Sequence, residues 1–142
     1  MAVPPETPIE LLSSLEGNLR VFRERLFAPD NADVLLRRFR SGAFESALLA
    51  IDGMTDSREI DENILKPCMD LPSDAGKDIA EGERIAFLMA HAVSILPIRF
   101  KTNMDDIIAD ALSGQCVLLC EGCAVACVMD TRGFEKRAVG RP

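Results

Sequence analysis

Four thiols crowd into one short stretch, where Cys116, Cys120, Cys123 and Cys127 follow the pattern C-x3-C-x2-C-x3-C. Thiolates are preferred zinc ligands, so the pattern invites a metal-site reading. The residues between the thiols argue against it. Val117-Leu118-Leu119 and Ala124-Val125-Ala126 read as strands around a two-residue Glu121-Gly122 turn. In that register Cys120 faces Cys123 and Cys116 faces Cys127, and at ~3.3 Å per residue the two pairs lie about 13 Å apart. One zinc holding each sulfur at about 2.3 Å cannot collect all four. A longer turn through Cys123-Ala124 would shift the register without bringing Cys116 to the turn. The thiols are therefore expected to pack as small core hydrophobes, with a thiol redox switch at the Cys116 to Cys127 hairpin as the alternative. Cys68 stands apart and adds no ligand pair.

The remaining chemistry-bearing residues are few. His91 is the sole histidine and lies in the most apolar helical stretch, which suggests a partly buried structural role. Asp105 and Asp106 open a helix, where negative charge offsets the helix dipole, so they are read as capping residues and not as an acid/base pair. Glu59, Asp61 and Glu62 hold the same position in an earlier helix and are expected to form a solvated face. No Walker sequence, G-x-G-x-x-G, G-x-S-x-G or H-E-x-x-H occurs. The expectation is a non-enzymatic chain with no catalytic, cofactor-binding or metal-ligating residues.

Charge narrows the partners. The chain carries a net charge of -7, yet Arg132, Lys136, Arg137 and Arg141 face only Glu135 in residues 131–142, which leaves residues 1–130 at -10. An acidic body repels phosphate backbones, so nucleic acid is not an expected partner. MAVPPETP lacks the basic and apolar regions of a secretory signal. The apolar run from Ile85 to Ile98 is broken by His91, Ser94 and Pro97 and falls short of the ~20 residues a membrane span needs.

The elements that would position these groups fit one α/β domain over residues 1–142, which is enough chain for a single core. Thr7, Pro8 and Glu10 form a helix start, and Leu12, Leu15, Leu19, Phe22 and Leu26 give an apolar stripe ending before Pro29. Residues 33–40 and 44–52 read as a hairpin of two strands. Ser57 is expected to cap a helix with Ile60, Ile64 and Leu65 inward and a break or restart at Pro67. Residues 70–83, rich in Gly and acidic side chains, suit an exposed flexible loop. A buried helix over 83–96, a short strand over 98–102, and a helix capped by Asn103 and Asp106 and ended at Gly114 follow. Strands at 116–120, 124–130 and 134–139 complete a C-terminal three-stranded meander. The expected fold is a mixed β-sheet with packed helices.

The last block also carries a resemblance. LSGQCVLLCEGCAVACVMDTRGFEKRAV, from Leu112 to Val139, resembles the GerA-family pattern of a helix-ending L-S-G, an apolar strand, an acidic-Gly turn, a second strand and D-T-R-G-aromatic-E-K-R. Ile51-Asp52-Gly53 and Ile64-Leu65-Lys66-Pro67 are similar to the family's I-D-G strand end and I-L-x-P helix. Phe134 stands where a larger Trp is expected, and the clustered cysteines replace plain hydrophobes or turn residues. The likeness covers spore germinant receptor A subunits and the related stage V sporulation protein AF. It implies the first subdomain of a larger N-terminal soluble region, continuing into a second soluble subdomain and then membrane-spanning helices. The implied partners are B- and C-type receptor subunits and the second subdomain, with self-association open. The implied location is the spore inner membrane, with this domain on the cytoplasmic core side. The implied role is receptor assembly or nutrient signal relay; a small-molecule germinant-binding module is the alternative. In the residues themselves, Thr131-Arg132-Gly133 reads as a turn, and Arg132, Glu135, Lys136 and Arg137 read as a candidate contact surface.

Overall fold

A computed structural model describes residues 10–26, 33–95 and 97–131. Within them a five-stranded sheet runs in the order β1-β2-β4-β5-β3, built from β1 (Val34–Ser41), β2 (Phe44–Ile51), β3 (Pro97–Lys101), β4 (Cys116–Cys120) and β5 (Ala126–Met129). Four helices pack on it: α1 (Leu15–Leu26), α2 over 57–69, α3 (Arg84–His91) and α4 (Met104–Leu112). The α/β architecture is the expected one. Every described pairing is antiparallel, however, where a mixed sheet was expected. The β3-α4-β4 unit does supply two strands that run parallel to each other, but β5 is inserted between them and pairs antiparallel with both. The unit is a split βαβ, so its parallel strands never touch. Two strands of the expected meander are present as β4 and β5; the third, at 134–139, lies outside the described residues.

Helices cover both faces, which explains why β2 and β4 read as continuous apolar runs and not as alternation. On one face Ala47, Leu49, Val117, Leu119, Ala126 and Val128 meet α1 and α4 through Leu15, Leu19, Phe22, Ile107 and Ala111. On the other, Leu48, Ala50, Leu118 and Met129 meet α2 and α3 through Ile60, Ile64, Ile85 and Leu88. All five cysteines lie on this second face.

The stripe Leu15, Leu19, Phe22 and Leu26 is buried as its spacing requires. The helix, however, starts at Leu15, with residues 10–14 outside it; the expected start at Thr7 and Pro8 lies outside the described residues. Glu10 pairs with Asn103 in an isolated antiparallel bridge, and the Leu11 N–H donates to Thr102 O at 2.7 Å. Strand-like pairing therefore holds this segment extended and leaves Leu12 off the stripe. Ser14 Oγ then accepts from Gly17 N–H at 3.0 Å, the N-cap role, and buried Asn18 ties back to both backbone groups of Leu12.

In α2 the cap is Asp56 and not Ser57, because its carboxylate accepts from the Arg58 and Glu59 N–H groups. Ile60, Ile64 and Leu65 point inward as expected. The helix widens into a π-helical stretch, Asp61–Leu65, and restarts as Lys66–Met69. Pro67 has no N–H for the Asn63 carbonyl four residues back. That carbonyl accepts from Ser94 N–H at 2.9 Å instead. The same bond draws the chain out of helix geometry after His91, which is why α3 ends short of the expected 83–96 span. The segment over 70–83 packs on the β1-β2 turn, where Ala43 N–H donates to Ala75 O at 3.0 Å. Asn103 caps α4 through Asp106 N–H, as expected.

Candidate functional site

The β4-β5 connection departs from the simple hairpin, and the departure builds the site. Cys116 is opposite Met129 and Leu118 is opposite Cys127, so Cys116 and Cys127 are diagonal neighbours and not a facing pair. The Glu121-Gly122 turn exists, with Cys123 N–H donating to Cys120 O at 3.2 Å, but residues 123–125 stay outside the strands and shift the register. Gly122 adopts φ +91°, and a Cβ there would meet Glu81 Cβ at 2.7 Å. Only glycine satisfies both the positive φ and the close approach.

Three surrounding segments clamp this turn. Glu121 N–H donates to Glu45 O at 2.9 Å, and Gly122 N–H donates to Ser13 O at 2.8 Å. The Glu121 carboxylate accepts from Leu15 N–H at 3.0 Å, so it satisfies an open donor at the start of α1. Arg84, the first residue of α3, donates from Nη1 to Glu121 O at 2.6 Å while its guanidinium lies 5.0 Å above the Phe44 ring.

Both thiols of the turn are buried in the same cluster. Cys120 Sγ also lies 3.5 Å from Ser46 Oγ, which in turn sits 2.6 Å from Ser41 Oγ. Cys123 Sγ lies 3.0 Å from Glu81 O. The electrostatics split the pair. Donation to Cys123, and then burial, push the Cys120 thiol up. Cys123 is held below the usual thiol range by that donation from Cys120, then by the Ile85 and Arg84 N–H groups at the start of α3 and by the Arg84 charge. Burial opposes the ionised form, and the donors outweigh it. Elsewhere burial alone raises Cys68 and Cys127 to about 12, and burial followed by the nearby Cys127 raises Cys116.

The other expected residues scatter. Arg132, Glu135, Lys136 and Arg137 lie outside the described residues. His91 is exposed and tilted against the Phe87 ring at 4.6 Å between centroids, not partly buried. Asp105 pairs with Arg25. Among the described residues no group of His, Cys, Asp and Glu could hold a metal ion, and no helix is long and apolar enough to cross a membrane. Sequence reasoning missed Glu81, Arg84, Glu121 and Ser46. The usable signal was the C-x-x-C within the longer pattern, next to a helix start at residues 83–84.

Fold and site define an α/β domain, helix-covered on both faces, with a clamped dithiol turn at the end of its central strand. The chain belongs to the GerA family, whose model, described as Bacillus/Clostridium GerA spore germination protein, matches residues 21–142. Its fold is similar to the crystal structure of the N-terminal domain of the A subunit of the Bacillus megaterium spore germinant receptor GerK3, with a TM-score of 0.72 and 21% identity. The match covers 89% of this chain and 49% of that chain, so this chain spans about half the length of that structure. No curated protein matches the chain.

Proposed function

We propose that this chain is the first soluble subdomain of a germinant receptor A subunit and that it serves receptor assembly or signal relay without catalysing a reaction. The family match running through residues 21–142 carries the reading, and the shared fold supports it. In this reading the intact protein continues into a second soluble subdomain and membrane-spanning helices, sits in the spore inner membrane with this domain on the core side, and contacts B- and C-type subunits. Arg132, Glu135, Lys136 and Arg137 form the contact surface, because clustered charge after an acidic body is suited to steering a partner of opposite sign.

Co-purification of the full-length A subunit with B- and C-type subunits tests both parts. The wild type should bring the partners down, and the R132E/K136E/R137E variant should lose most of that recovery. Failure of the wild type would overturn the receptor reading. Equal recovery by both would overturn only the contact surface.

A further inference from the structure

We propose that Cys120 and Cys123 form a peroxide-responsive dithiol, with Cys123 the attacking sulfur and Cys120 the resolving one, and that Cys116, Cys127 and Cys68 take no part. Geometry selects the pair. Residues three apart across a hydrogen-bonded turn keep their Cα atoms within about 7 Å, and a disulfide needs roughly 4.4–6.8 Å. Cys120 and Cys123 satisfy this through the 3.2 Å bond that closes their turn, and both thiols are buried in one cluster on the same side of the sheet. Diagonal neighbours on paired strands sit about 7–8 Å apart, which places Cys116 and Cys127 beyond easy bridging.

The surroundings give the two sulfurs different work. The two N–H groups and the guanidinium at the start of α3 stabilise negative charge on Cys123, and the Glu81 side chain lies against the adjoining Gly122. Cys120 keeps its proton, with Ser46 Oγ 3.5 Å from its sulfur. Cys123 is only 1% exposed, which excludes a bulky disulfide and makes a small peroxide the oxidant of this proposal. The Cys123 thiolate attacks one oxygen of hydrogen peroxide, giving a sulfenic acid and hydroxide as the O–O bond breaks. Hydroxide takes up the proton released when Cys123 ionised. The Cys120 sulfur then displaces the sulfenic oxygen, which leaves as water with the Cys120 proton. Two thiols and one peroxide yield one disulfide and two waters. Closure removes the thiol contact to Glu81 O and the charge facing Arg84, so oxidation loosens the segment that leads into α3.

This proposal stands apart from the receptor reading, because its test needs only the chain itself. The reduced protein is treated with one equivalent of hydrogen peroxide, alkylated, and cut after glutamate. Cleavage at Glu121 separates Cys120 from Cys123, so the two fragments stay joined only through a disulfide. The expected result is a fall from five free thiols to three, joined fragments, and alkylated Cys116 and Cys127. C120S should instead accumulate a dimedone adduct on Cys123. Five remaining thiols, or a bridge through Cys116 or Cys127, would overturn the proposal, and the wild-type map decides it even where a serine variant does not fold.

Discussion

The strands that carry Ala47, Leu49, Val117, Leu119 and Val128 to the α1/α4 side carry Ser46, Cys116, Cys120 and Cys127 to the α2/α3 side. The first face is lined by hydrocarbon and the Met104 sulfur, its buried Asn18 amide is spent on the Leu12 backbone, and it serves to pack. The second buries five thiols, of which three are treated by the fold as hydrophobes and two meet at a turn. What separates these groups is backbone geometry. Cys116, Cys127 and Cys68 sit in regular elements whose N–H groups are spent on ladder or helix bonds. Cys123 leaves the ladder and thereby reaches the N–H groups and the Arg84 charge at the start of α3.

The contrast can be broken at several points, and the largest effect should come with alkali. Cys68 and Cys127 titrate at about 12 in the fold against an ordinary 9.0. Between those values the folded chain binds more protons than the unfolded one, so stability is full below pH 9 and falls as pH rises. The loss is on the order of 1.4 kcal/mol per pH unit for each thiol kept un-ionised. Thermal unfolding of the reduced protein between pH 8 and 11 should show a falling Tm, and C68A/C127A should show a shallower fall. Equal slopes would contradict the assignment of these thiols to the core.

Packing gives the next effect. Phe22 is fully buried on the hydrocarbon face, and Phe22→Ala should cost about 3–5 kcal/mol in denaturant unfolding. Cys116→Ala on the thiol face removes a single sulfur and should cost about 1 kcal/mol. Equal losses would mean that the two faces are packed alike and that the thiols carry more structure than their volume allows.

Local signals in the sequence led to the right elements wherever the deciding contact was also local. The β1-β2 hairpin follows from its own turn, and α4 follows from Asn103 capping Asp106 N–H one turn on. Errors arose where a distant partner decided. Glu10 is extended because Asn103 pairs with it, and α3 stops because Ser94 satisfies the carbonyl that Pro67 leaves free. The β4-β5 register depended on how far the chain strays after Gly122, which is set by Glu81, Arg84, Ser13 and Glu45. C-x-x-C was visible as letters. That its second sulfur meets a helix start was not, because residues 81–85 reach the turn only through the fold.

The pH dependence of alkylation, followed separately for each of the five thiols by mass spectrometry on the reduced protein, most directly tests the claim that one backbone departure sets Cys123 apart. Cys123 should titrate below the ordinary thiol range, with Cys68, Cys116, Cys120 and Cys127 above it. A Cys123 that titrates with the other four would contradict it.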